Sequence, residues 1–206
     1  KFYNQKTYHD CPLLDVLTLT FCKNWTNCCS DVIYDTPDLY NKCSPQNGVP
    51  VSYILSYKEK PYNKSFLYGY QLAHSGDGFV GIFLNFYDTR HEAKKNDYCE
   101  YLQSELIKPL IKGEKYYVQF FVNRSNFSTI STDRIGLYFS DKYIKTRNLD
   151  TMYYLKPQIE NSFGNVLSDT VGWSKISGVY QANGNERYIV IGRFYNFRNS
   201  TIIKNK

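Results

Sequence analysis

From Tyr68 onward the chain is a succession of short β-type runs, each closed off by Gly, Asn, Asp or Ser. This rhythm is the tightest constraint on what the chain can fold into. The runs cover 68–73, 79–86, 98–107, 115–123, 134–140, 172–181 and 187–195. Segments this short, with turn residues between them, match the strands of two packed antiparallel sheets and leave little room for packed helices. Within 134–140, Ile135, Leu137 and Phe139 form one apolar face against Gly136, Tyr138 and Ser140, the period of a half-buried strand. In the last run Tyr188, Val190 and Phe194 oppose Ile189, Ile191 and Arg193. Both faces are apolar at first, which predicts a central strand covered on both sides. Residues 116–122 (YYVQFFV) behave in the same way. The expected fold class is an all-β, two-sheet antiparallel sandwich with its core in 66–200. The stretch from Asp141 to Asn165 carries Pro157 without a clear period and reads as a long loop.

A length of 206 residues fits one β domain spanning 1–206. Tyr supplies 21 residues and Met one, a composition that favours strands and wet binding surfaces over long helices. The net charge of +6 is scattered in small groups such as Lys58/Lys60/Lys64, Lys108/Lys112/Lys115 and Lys142/Lys145/Arg147. Such scatter describes a solvated surface and argues against a nucleic-acid stripe, while leaving room for attraction to acidic glycans. No run reaches the roughly 18 apolar residues of a membrane helix, so no membrane span is expected.

Five of the six cysteines, Cys11, Cys22, Cys28, Cys29 and Cys43, crowd into the leading arm, with Cys99 alone later. Crowding of this kind reads as a disulfide framework fastening an otherwise irregular arm, 1–65, and hence as an exported chain. A zinc site is the rival, but no C-x-x-C pair is present. Sequons at Asn24, Asn63, Asn123, Asn126 and Asn199 are compatible with an exterior setting.

Catalytic material is thin. His9, His74 and His91 are the only histidines, too few for a metal cluster or an obvious triad. His74-Ser75-Gly76-Asp77-Gly78 reads as a turn, because its residues supply backbone freedom and form no nucleophile elbow. Glu100, Glu105, Asp133 and Glu186 are the acids on strand-like runs, and nothing in the sequence pairs them for glycoside cleavage. A structural calcium held by Asp31, Asp35, Asp38 and Glu186 is an expectation resting on hard oxygen ligands alone, with no cofactor beyond it. Sugar recognition uses flat aromatic faces beside polar groups. Tyr68, Tyr70, Tyr138 and Tyr195 are the candidate ligand-binding residues, with Tyr138 opposite the apolar face of its strand. Trp173 opens a strand and is expected inside.

The order of motifs carries a resemblance. C-x-x-W at Cys22–Trp25 is followed by TPDLYNKC (Thr36–Cys43), GYQLAHSGDGFVGI (Gly69–Ile82), YCEYLQSEL (Tyr98–Leu106) and PLIKGEKYYVQFFV (Pro109–Val122). DRIGLYFS (Asp133–Ser140) and PQIEN (Pro157–Asn161) come next, and GNVLSDTVGWSKISGVYQANGNERYIVIGRFYN (Gly164–Asn196) closes the set. Nearly the whole chain resembles the jelly-roll modules of exported Bacteroidota surface proteins that stand upstream of OmpA-like or type IX secretion sorting domains. Against that pattern Cys28, Cys29 and Cys99 are additional, and 53–64 is longer than the usual link. The resemblance implies a galactose-binding-like, carbohydrate-module-like sandwich without catalytic apparatus, displayed at the cell surface in association with the outer membrane. The expected function is non-catalytic binding or adhesion to glycan or to another envelope protein. A structural subunit or spacer of an envelope secretion, motility or filament assembly is the alternative, and a glycan hydrolase is a distant third.

Overall fold

The computed structural model describes residues 24–28, 37–41, 70–84, 99–126, 128–146, 151–196 and 199–205, together with the strand backbone of 54–56 and 65–67. The described residues are all-β and the ladders are antiparallel. In chain order the strands are β1 (Trp25–Asn27), β2 (Asp38–Asn41), β3 (Ile54–Ser56), β4 (Ser65–Leu67), β5 (Gly78–Gly81), β6 (Leu102–Glu105) and β7 (Lys115–Val122). They continue as β8 (Ile130–Thr132), β9 (Ile135–Ser140), β10 (Ile159–Glu160), β11 (Ser174–Gln181), β12 (Tyr188–Arg193) and β13 (Ile202–Lys204). A five-stranded sheet in the order β1-β6-β12-β9-β10 forms the base. The ribbon β11-β7 and the pair β2-β5 pack against it, while β13-β8 and β3-β4 are separate two-stranded ladders.

Side-chain period decides the layering. Ile135, Leu137 and Phe139 of β9 turn to one face and meet Ile176 and Tyr180 of β11 and Val118 and Phe120 of β7. Phe139 and Tyr180 stack with ring centroids 4.5 Å apart. Leu39 of β2 joins this layer over Leu102 and Ile191. The result is sandwich-like, with one sheet face capped by the ribbon and by β2/β5. The opposite face buries Cys28, Cys99, Tyr101, Val190 and Phe194 under the connection that carries Met152, Ile144 and Leu155. Val190 and Met152 are both fully excluded from water. Each apolar side chain buried in this way contributes about 1.5–3 kcal/mol.

Several expectations change. The first is that 116–122 is covered on both sides: Tyr117 and Gln119 of β7 are exposed, because β7 and β11 form a two-stranded ribbon with only one face against the sheet. β9 is not half-exposed: Gly136 and Ser140 are buried and Tyr138 is half-buried, because Ile144, Met152, Leu155 and Pro157 of the connection that follows lie on that side of the strand. That connection, read as a plain loop up to Asn165, also holds β10, which pairs with β9 through Ile159↔Leu137 and Glu160↔Gly136. The leading arm is not wholly irregular, since β1 forms an edge of the main sheet against β6 and β2 pairs with β5. The run at 68–73 makes no ladder in its described part, 70–73.

The cysteine expectation shifts as well. Cys28 and Cys99 are thiols buried in one apolar cluster, where a cysteine serves as a small hydrophobe. Burial pushes the Cys99 thiol pKa up, against the opposing influence of Arg193. Cys11, Cys22, Cys29 and Cys43 lie outside the described residues.

Close approach at Gly192 locks β12 to β6. A Cβ there would lie 2.3 Å from Cδ1 of Tyr101, and the hydroxyl of that tyrosine donates to the carbonyl of Arg193 at 2.6 Å while accepting from the Met152 amide at 2.9 Å. Gly192→Ala must displace this ring. It is expected to destabilise the fold by about 1–3 kcal/mol in urea denaturation, and an unchanged midpoint would contradict the packing described.

Candidate functional site

The ribbon puts one face in the core and presents the other to water. Its inward residues are Tyr116, Val118, Phe120 and Val122 on β7 and Ile176 and Tyr180 on β11. The eight-residue register therefore turns Lys115, Tyr117, Gln119 and Phe121 outward beside Gln181, Val179, Ser177 and Lys175 respectively. All but Phe121 are exposed, and Tyr117 (61%) and Val179 (62%) form a cross-strand apolar pair open to solvent.

Phe121 is half-covered because a loop brings an imidazole onto it. Gly76 takes φ 72° in the 74–77 turn, a conformation that favours glycine. The turn sets His74 flat on Phe121, with centroids 3.7 Å apart and planes 21° from parallel. Trp173 stands edge-on to His74 at 6.2 Å and to Phe79 at 5.6 Å, and Phe79 stacks on Tyr40 at 5.0 Å. The indole N–H of Trp173 donates to the Leu72 carbonyl at 2.9 Å, fixing the ring on the loop. Leu72 (53%), Tyr70 (54%) and Val171 (84%) extend the apolar surface past the end of the ribbon. Tyr70 is held there by its amide donating to Oδ1 of Asn126, and Gln71 Nε2 reaches the Val171 carbonyl. The arrangement offers ring faces and edges beside amide, hydroxyl and ammonium groups, which suits a ligand with one apolar face and a polar rim.

The anticipated binding residues do not come together. Tyr70 flanks this face, while Tyr68 lies outside the described residues. Tyr138 is half-buried and packs toward Phe194 at 6.3 Å within the second core. Tyr195 lies at another end of the sheet, where the Arg134 guanidinium sits 4.0 Å from its ring and 5.1 Å from that of Phe163, and where its hydroxyl donates to Glu160 at 3.3 Å. Trp173, expected in the core, is half-buried at the rim because β11 begins only at Ser174. His74 joins the platform as a ring stacked on Phe121. Its stacking partner is 47 positions along the chain, and no local signal announces it.

The acids have structural work. Oε1 of Glu186 accepts from the Tyr180 hydroxyl at 2.5 Å and the Asn183 amide at 2.7 Å, and Oε2 from the amides of Gly184 at 2.8 Å and Asn185 at 3.0 Å. Burial opposes its charge, but these donors outweigh burial and pull its pKa down from 4.5 to about 2. A carboxylate with four donors on it closes the 181–186 turn. Asp38 is different, since burial raises its pKa from 3.8 to about 6. Asp31 and Asp35 lie outside the described residues, and among the described residues no three His, Cys, Asp or Glu groups converge on a metal position. Of the remaining acids, Glu100 accepts from the Phe83 amide at 2.7 Å, and Asp133 accepts from Gly164 and Thr201 amides at 2.7 and 2.9 Å. Glu105 is exposed at the end of β6.

Two pH-dependent outcomes follow from these carboxyls. The depressed Glu186 contributes stability that is complete above pH 4.5 and is lost as pH falls toward 2. Glu186→Gln should flatten that acid limb of a thermal-melt profile and cost about 1–3 kcal/mol at pH 7. The raised carboxyl of Asp38 works in the opposite sense, favouring the fold below pH 3.8 and losing that contribution as pH rises through about 6. Asp38→Asn is expected to stabilise the protein at pH 7.5 by about 1–2 kcal/mol, with the gain vanishing near pH 4; equal melting temperatures for the two proteins at both pH values would refute this.

No protein-family model, curated protein or solved structure matches the chain.

Proposed function

We propose that this chain is a non-catalytic binding and adhesion module of an exported bacterial surface protein, and that it holds glycan on the outer face of the β7/β11 ribbon. The observation that carries this reading is the exposed Tyr117–Val179 pair on the same ribbon face as the His74–Phe121 stack and the rim of Trp173, with Gln119 and Ser177 between them. Folded proteins rarely leave a large apolar patch open to water without a binding role. Aromatic surfaces interleaved with Gln119, Ser177 and Lys175 match the mixed chemistry of a sugar ring. The two-layer packing is in keeping with a jelly-roll of the galactose-binding-like kind suggested by the motif order, and that likeness supports placement at the cell exterior. Among the described residues no helix is long and apolar enough to cross a membrane.

A glycan array probed with the intact chain, Tyr117→Ala and Trp173→Phe tests the reading. Both variants should keep the parental melting temperature within a few degrees and lose glycan signal at least fivefold, as central contacts do. A tight protein partner masking Tyr117, with no glycan signal from the parent, would instead make the chain a structural subunit of an envelope assembly.

A further inference from the structure

The outward positions of the ribbon carry an unbalanced charge. Two are lysines, Lys115 and Lys175, and the other six are Tyr117, Gln119, Phe121, Ser177, Val179 and Gln181, so the face contains no acid. Glu114 precedes β7, and Asp169 lies in the loop before β11. The Asp169 carboxylate is occupied by the amides of Val171 and Gly172 at 2.8 and 2.9 Å, which hold its pKa down.

The placement of the lysines matters as much as their sign. Lys115 opens β7 opposite Gln181, whereas Lys175 lies opposite Phe121, six residues farther along the ribbon. At about 3.3 Å per residue this separates the two ammonium-bearing positions by roughly 20 Å, with Tyr117, Val179, Gln119 and Ser177 between them. A single sugar cannot reach both ends, but an extended chain can. The hydroxyl of Tyr117 leans toward Ser177 and Lys175, contacts that lower its pKa.

Resting on the glycan-binding reading above, we infer that the ligand of this face is an anionic polysaccharide lying along the ribbon. Its rings pack over Tyr117, Val179 and the His74–Phe121 step, and its carboxylate or sulfate groups meet Lys115 and Lys175. The polar edges of the sugars face the amides of Gln119 and Gln181. Gln181 Nε2 already donates to the Gly113 carbonyl at 3.1 Å, which holds that side chain at the Lys115 end of the ribbon.

The test is binding of the whole chain to alginate (carboxylated), dextran sulfate (sulfated) and unsubstituted dextran, at low and at physiological salt. Lys115→Gln/Lys175→Gln is compared with a control, Lys142→Gln/Lys145→Gln, on exposed residues away from the ribbon. At least one charged polymer should bind about tenfold more tightly than dextran, and the ribbon variant should lose most of that margin while the control keeps it. Raising salt should shrink the margin without abolishing aromatic contact. Which charged polymer binds tells carboxylate from sulfate recognition. Equal binding of dextran and the charged polymers, or equal losses in the two double variants, would overturn the assignment while leaving glycan binding intact. Absence of binding to all polymers, and to any glycan on the array, would remove both readings together.

Discussion

A buried guanidinium holds the main sheet together. Arg193 ends β12 with 1% of its surface exposed. Its Nε donates to the Leu84 carbonyl at 2.8 Å and its Nη1 to the Tyr195 carbonyl at 2.6 Å, while the Tyr153 ring lies 5.6 Å from the cation. The backbone carbonyl of the same residue receives the Tyr101 hydroxyl. Continuing the β6/β12 register by two residues places Glu100, also buried, across from it. Taking such a cation out of water costs several kcal/mol unless every donor finds an acceptor. The segment after β5, the strand β6, the 152–155 connection and the end of β12 must therefore all be in place at once. That shared requirement ties the second face of the sheet to the same event that closes the first.

Legibility in the sequence follows from how much each element depends on partners far away. The long strands announce themselves: β7, β9, β11 and β12 all lie within the β-type runs, although which faces they bury depends on the neighbours, since β7 leaves one face open and β9 is covered on both. Ile176 and Tyr180 are buried while Lys175, Ser177 and Val179 are not. Short strands depend on context. β10 has two residues and pairs only because β9 offers Leu137 and Gly136 as partners, with Pro157 fitting against the Cβ-less Gly136. β1 and β2 sit among Asn, Asp and Cys, where no apolar period shows, and are strands because β6 and β5 supply their ladders. The coarse all-β class was thus readable, and the closing pieces of each sheet were not.

The acids teach the same lesson from chemistry. Asp and Glu near turns look like candidate cation ligands when only their types are known, yet an ionised carboxylate serves equally well as an acceptor for loop amides. Glu186 gathers three amides and a phenol, and Asp133 ties the 162–165 turn to the segment before β13. Distinguishing the two uses needs the positions of the donors. The aromatic candidates divided for a related reason. Tyr138 alternates outward from β9, but outward on a central strand meant toward the second core, under a connection whose apolar residues showed no period.

The ribbon is well suited to recognition because its two faces answer to different demands. Tyr180 stacked on Phe139, and Gly178, where a Cβ would come within 2.8 Å of Ile159, press its inner face against the sheet. Packing this close fixes the register of eight cross-strand pairs, and register fixes which side chains point outward. The outer side chains are consequently displayed on a rigid backbone whose stability is supplied from below. Such residues can be chosen for contact rather than for folding, which is why an exposed tyrosine–valine pair and two lysines can persist there. Preorganisation of this kind reduces the ordering cost that a binding surface carried on loops must meet.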